Sequence, residues 1–222
     1  MKTKIFTIII AVIIISNNLF AAFTLDFLAK LGVVGSFTDL TGSVVEGRGD
    51  LNLQLGYNFP INKKLKGIEL LFDTGINFGS LSVKNNPSDK YSINQMDIIG
   101  INTGLALKFV VAPMFLPNAI NTNLYAVYGI SAGAKFTPFI DGIKDGINGK
   151  LNQVPISLYV NLSDEIRIYT YDNRAFVVGI NLFYEYMFFN KNDVSKLFAS
   201  RNINQHHSIG ALISVGFHFG EN

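Results

Sequence analysis

His206-His207-Ser208 is the one stretch of this 222-residue chain that sets a candidate nucleophile beside a base. A serine attacks well only when a base takes its proton and a third group orients that base. His206 and Ser208 supply the first two. The only acid further along, Glu221, falls at the opposite end of the closing strand, so the triplet reads as an exposed polar loop end. Two adjacent histidines lack a third and fourth ligand at zinc-like spacing. The absence of cysteine removes thiolate metal sites and disulfides. No Gly-rich turn precedes a Lys-Ser/Thr pair or opens a helix, so there is no phosphate loop. The chain is expected to be no enzyme and to hold no metal or cofactor.

Charge offers a second set. Lys30, Lys108, Lys135 and Arg167 stand with Glu69, Asp73, Glu165 and Glu185 on the polar side of alternating segments. What positions them is a period of two, because successive side chains of a strand point to opposite faces. In residues 50–59, Leu51, Leu53, Leu55, Tyr57 and Phe59 share one face, opposite Asn52, Gln54, Gly56 and Asn58. The pattern recurs along the chain. A first strand over Phe27–Phe37 puts Phe27, Leu31, Val33 and Phe37 on the apolar face and Lys30 and Ser36 on the other. A third sets Ile68, Leu70, Phe72, Ile76 and Phe78 against Glu69, Asp73 and Asn77. A fourth sets Ile99, Ile101, Leu105 and Phe109 against Asn102 and Lys108. A fifth sets Tyr128, Ile130 and Phe136 against Ser131 and Lys135. The seventh runs from Phe176 to Phe188 over Asn181 and Glu185, and the last from Ile209 to Phe219 over Ser214 and His218.

The sixth strand breaks the rule. Ile156, Leu158, Val160, Leu162, Ile166 and Ile168 keep the apolar parity, but Asp164 shares it. A carboxylate facing lipid is unfavourable, so a bulge at Ser163-Asp164 or a strand break is expected there.

The leader gives these strands their context. Lys2 and Lys4 precede an apolar run over Ile5–Ile15, then Ser16-Asn17-Asn18 and small residues at Ala21 and Ala22. This is the layout of an export signal, and the run is shorter than the roughly 20 residues of a transmembrane helix. Residues 1–21 are read as the signal and 22–222 as one domain. Removing Lys2 and Lys4 leaves basic and acidic residues equal in number, so no basic excess points to nucleic acid. Export, no cysteine for a lipid anchor and strands with one apolar and one polar face lead to an all-β fold, an eight-stranded antiparallel transmembrane β-barrel. Residues 38–49, 80–91, 138–154 and 190–206 are long and polar and are expected outside the cell. Residues 60–66, 112–121 and 172–174 are expected in the periplasm. Phe37, Phe78, Phe136 and Tyr186 then mark the outer membrane rim, and Phe27, Phe59, Phe109, Phe176 and Phe219 the inner one.

On these alternating strands the chain resembles the small outer-membrane barrels of the outer membrane protein A and X type. Its Ile-, Asn-, Lys- and Phe-rich usage is similar to barrel proteins of Borrelia and related spirochaetes. The closing Ile213–Phe219 resembles the terminal strand that the outer-membrane assembly machinery recognises, except that Gly220-Glu221-Asn222 follow it. The resemblance implies an outer-membrane location and lipid contact. Small barrel lipases that deacylate lipid A carry a His-x-Ser like His206 and Ser208. In that family an Asn follows the serine, and here Ile209 stands in its place.

An eight-stranded barrel is only wide enough for its side chains to fill it. The eight lumenal charges are therefore expected to pair into a plug; the alternative is a small porin or narrow channel. Lys191, Lys196, Leu197, Phe198 and Arg201 in 190–206 mix apolar with basic groups. Loops on rigid scaffolds commonly carry function, so this loop is the candidate surface for host or extracellular matrix proteins, in an adhesin-like role.

Overall fold

The computed structural model describes residues 22–38, 44–61, 65–84, 93–112, 124–142, 155–171, 173–188 and 205–220. These form eight strands: β1 (Ala22–Thr38), β2 (Val44–Pro60), β3 (Leu65–Lys84), β4 (Ile93–Val111), β5 (Leu124–Gly142), β6 (Ile156–Tyr171), β7 (Arg174–Phe188) and β8 (Gln205–Phe219). Each pairs antiparallel with the next, and β8 closes on β1. Closure leaves no sheet edge, so the ladder satisfies the backbone polar groups internally, as a lipid environment demands.

The stagger of the ladder sets the shape. Partners followed once around the wall run Thr38, His206, Met187, Ser157, Lys135, Asn102, Gly75, Asn52 and back to Leu28, ten residues from the start. Ten residues of about 3.3 Å against eight strands about 4.8 Å apart tilt the strands about 40° from the axis. The narrow bore follows from the same geometry. At the facing pair Gly104 and Gly133, a side chain on Gly104 would meet Ala132 O at 2.3 Å and the Tyr159 hydroxyl at 2.6 Å. Glycine there leaves space for the Tyr159 ring.

The molecule is apolar outside and polar inside. Leu31 is 70% and Ile213 63% exposed, and along β7 every second residue from Ala175 to Met187 is buried. A wall of open Leu, Ile, Val and Phe on every strand far exceeds the apolar patches of soluble monomers. The expected parity holds at the residues assigned on β2, β3, β4, β7 and β8 whose burial is described.

Several expectations are corrected. β1 starts at Ala22, not Phe27, so Phe23, stacked edge-on against Tyr57 at 6.2 Å, stands nearer the strand end than Phe27 does. β2 starts at Val44, inside the segment read as a loop over 38–49, while β3 runs to Lys84 and β5 to Gly142. Glycines at the outward positions 47 and 49 hide the apolar alternation of the start of β2. β6 neither bulges nor breaks at Ser163-Asp164, for both residues pair in register on both sides; its register shift lies at Tyr169/Tyr171. Residues 1–21, the expected signal, lie outside the described residues.

Candidate functional site

The lumen carries the chemistry, in layers. The end of the barrel bearing the connections 61–64, 112–123 and 172–173, called here the turn end, is filled by Val110, Tyr125, Val127, Tyr169 and Ala175. Tyr125 and Tyr169 pack edge to face at 5.3 Å, Tyr169 meets the His218 ring at 5.8 Å, and Lys66 Nζ lies 5.6 Å from the centre of the Tyr125 ring.

The first charged layer lies against this aromatic plug. Arg167 grips Glu69 with two nitrogens, Nη1 to Oε1 at 2.5 Å and Nη2 to Oε2 at 2.8 Å, and Nη2 also reaches Asp26 Oδ2 at 3.1 Å. Lys108 Nζ donates to the same Asp26 Oδ2 at 2.8 Å and to both Glu165 oxygens. His218 Nδ1 sits on the other Asp26 oxygen at 2.5 Å. All six side chains are buried. Charge-assisted contacts at these lengths are among the stronger hydrogen bonds, and a buried ion without such partners costs several kcal/mol.

Above it the layer is mostly neutral. Asp73 accepts from Asn52, Gln54 and the Tyr159 hydroxyl, and Asn161 bridges Ser131 and Asn181. A cavity of about 30 Å³ opens here between Lys30, Asp50, Asp73 and Tyr159, with Phe183 and Leu212 also on its wall. That is room for one or two water-sized groups. Lys30 faces Asp50 and Asp73 across this cavity.

A second charged layer follows towards the other, loop end. Val34, Phe183 and Leu212 cluster, and the Arg48 guanidinium lies over the Phe183 ring at 4.4 Å. Arg48 donates to Asp50 at 2.9 Å and to Glu185 at 2.7 Å, and Lys135 pairs with the other Glu185 oxygen. Ser36 links to Ser208 at 3.3 Å and to Glu46 at 3.5 Å, beside a pocket of about 20 Å³.

The eight charges expected in the lumen are all there, and buried. They divide into two layers with Lys30 and Asp73 between them. The reading by sequence missed Asp26, Glu46, Arg48 and Asp50. Asp26, which joins Lys108, Arg167 and His218, was hidden because the strand was begun at Phe27; Phe23, Leu25 and Phe27 alternate with Thr24 and Asp26 and carry the signal. The balance of four acids and four bases is corrected accordingly: among the described residues seven carboxylates face five Lys and Arg.

The triplet at 206–208 is corrected too. It lies inside β8, not in a loop end, and Ser208 is buried towards the lumen, level with Glu185 on β7. The Ser208 hydroxyl lies 3.3 Å from that of Ser36. His207 lies on the outer face, its Nδ1 2.7 Å from the Tyr184 hydroxyl and its ring against Tyr186. The candidate binding residues Lys191, Lys196, Leu197, Phe198 and Arg201 lie outside the described residues, as does the side chain of His206.

No protein-family model matches the chain, and no curated protein matches it. Among solved structures it is similar to Neisserial surface protein A, at 11% identity and a TM-score of 0.46 over 89% of this chain and 97% of that one. It is similar to the outer membrane protein OprG of Pseudomonas aeruginosa, at 12% identity and 0.46 over 90% and 95%. It is also similar to the outer membrane enzyme PagL, at 9% identity and 0.45 over 85% and 97%. These likenesses concern the course of the chain and carry no activity to it.

Proposed function

We propose that the chain is an outer-membrane surface protein whose barrel is a filled mount and whose loops bind host or extracellular molecules. The observation that supports this reading is the packed lumen. Two ion-paired layers and an aromatic plug occupy the bore from Arg48 to Tyr169, and the two cavities found among its described residues measure about 20 and 30 Å³. With the interior committed to its own pairing, the connections at the loop end are left to meet partners. Among these, 189–204 mixes Leu197 and Phe198 with Lys191, Lys196 and Arg201. The test is to graft 189–204 onto an unrelated eight-stranded barrel and measure adhesion to matrix and serum proteins. Transfer of the parent's binding is the expected result. A parent that binds while the graft and every other loop graft are inert would refute it. Protease on intact cells should cut within 189–204 and spare 61–64, and the reverse would turn the barrel over.

A second reading, a narrow channel, draws on the neutral layer. There Asn52 Oδ1, Gln54 Oε1 and Asn181 Nδ2 have no hydrogen-bond partner among the described residues. Single-channel recording separates the two readings: the filled mount gives no steady conductance, and a large reproducible one promotes transport.

A further inference from the structure

Between the aromatic rims the outer wall is apolar apart from a few hydroxyls, with one ionisable carboxyl among its described residues, that of Asp164. β6 runs through Asp164 in unbroken register, and the residue is exposed. On β7 it pairs with Ile180, which lies four residues from Phe176 towards the turn end and four from Tyr184 towards the loop end. With an axial rise of about 2.5 Å per residue and a drop of about 3 Å towards the turn end from β7 to β6 on the tilted strands, that places Asp164 about 7 Å from the Phe176 level and about 13 Å from the Tyr184 level, inside the apolar zone. On β5 it pairs with Tyr128, which also points outward and is half exposed. Neither the carboxyl nor the Tyr128 hydroxyl has a hydrogen-bond or ion-pair partner among the described residues. An acceptor and a donor thus stand side by side, unmatched, in the medium where an unmatched polar group is most costly.

We propose that this face of β5 and β6 binds a second copy of the same chain. Two copies inserted in one membrane point the same way, so the two-fold axis of a closed dimer lies along the membrane normal. Such an axis preserves depth, and each residue meets groups of its own level. An axis passing between Asp164 and Tyr128 brings each carboxyl opposite the partner's Tyr128 and satisfies both unmatched pairs at once. The donor is the phenol, the acceptor the carboxyl oxygen, and the contact occurs twice. Because the strands tilt, the same axis passes within about 3 Å of Ala126, towards the turn end, and of Leu162, towards the loop end. A small residue at 126 lets the walls approach.

The chain has no cysteine, so single cysteines report the contact directly. In the full mature barrel refolded in lipid vesicles, Ala126→Cys sits beside the axis and Leu53→Cys on the opposite wall. Oxidation is expected to give a covalent dimer from Ala126→Cys and none from Leu53→Cys. Adding Asp164→Leu or Tyr128→Phe to Ala126→Cys should weaken the association about tenfold, the loss of two membrane hydrogen bonds. Neither change introduces a polar group, and heat-modifiable gel mobility confirms folding. If Asp164→Leu lowers folding, Tyr128→Phe alone decides. A monomer at every protein-to-lipid ratio overturns the proposal, and would leave Asp164 to lipid or to a foreign cation-bearing partner. Equal crosslinking at residues 126 and 53, or a dimer indifferent to both substitutions, overturns it as well.

Discussion

Arg167→Met is the sharpest test of the lumenal plug. The guanidinium is wholly buried and holds Glu69 at 2.5 and 2.8 Å and Asp26 at 3.1 Å. Methionine fills much of the same volume but removes the charge. Asp26, Glu69 and Glu165 are then left around one fixed cation, Lys108. Breaking a buried pair from one side costs about 3–5 kcal/mol, a large share of the roughly 5–15 kcal/mol that separates folded from unfolded proteins. Glu69→Leu alone leaves Arg167 with only its longer contact to Asp26, which it shares with Lys108, and should cost about as much. The double variant removes charge from both sides, and replacing a buried pair with apolar groups is often near neutral. It should therefore fall within about 2 kcal/mol of the parent, far short of the sum of the single changes. With no tryptophan and nine tyrosines, urea unfolding in vesicles is best followed by heat-modifiable gel mobility, with tyrosine emission as the second probe. Single and double changes that add to within about 0.5 kcal/mol would mean uncoupled groups. The lumen would then be solvated, and the filled mount would be wrong.

Two further outcomes follow from the same packing. Gly104→Val should prevent refolding, because a branched side chain has no room beside Ala132 O and the Tyr159 hydroxyl, whereas Gly47→Ala, with nothing within 4 Å, should refold normally; equal refolding of the two would refute the account of the bore. Ser208→Ala should cost about 1 kcal/mol for the lost hydroxyl contact with Ser36 and leave surface binding intact; lipid deacylation by the parent that Ser208→Ala abolishes would overturn the non-enzymatic reading.

Parity was legible wherever a strand alternates cleanly. In β7, Phe176, Val178, Ile180, Leu182 and Tyr184 face out, and Asn181, Phe183 and Glu185 face in, as their spacing requires. It failed where composition blurred the contrast. Thr24 and Asp26 follow directly on the apolar leader, and Glu46, Arg48 and Asp50 alternate with Gly47 and Gly49 rather than with large apolar residues. Pairing was not legible at all. Which acid meets which base depends on the ten-residue stagger and the tilt, and these arise only when β8 closes on β1. Arg167 and Glu69 stand 98 positions apart and Lys108 and Asp26 82, so no local pattern relates them. Asp164 misled for a different reason. Both sequence readings assumed the chain would turn a carboxylate away from lipid, while β6 keeps its register and leaves the side chain outside.

The order of layers bears directly on plug against pore. Anything crossing the barrel from the loop end must pass Arg48, Lys135 and Glu185, then the amides around Asp73, then the contacts of Lys108 and Arg167 with Asp26, Glu69 and Glu165, and last Tyr125 and Tyr169. The amide layer holds a cavity of about 30 Å³ with an ion-paired layer on each side of it, and the loop-end charged layer holds one of about 20 Å³. Separating even the Arg167–Glu69 and Lys108–Glu165 pairs without new partners costs about 6–10 kcal/mol at about 3–5 kcal/mol each. At 1.4 kcal/mol per tenfold, fewer than about one molecule in ten thousand would be open at rest. A sustained current therefore needs replacement partners waiting on the wall. Lys30, the described base of the layer between the two charged ones, already faces Asp50 and Asp73 across a shared cavity. The pairing that holds the wall together is the same pairing that closes it.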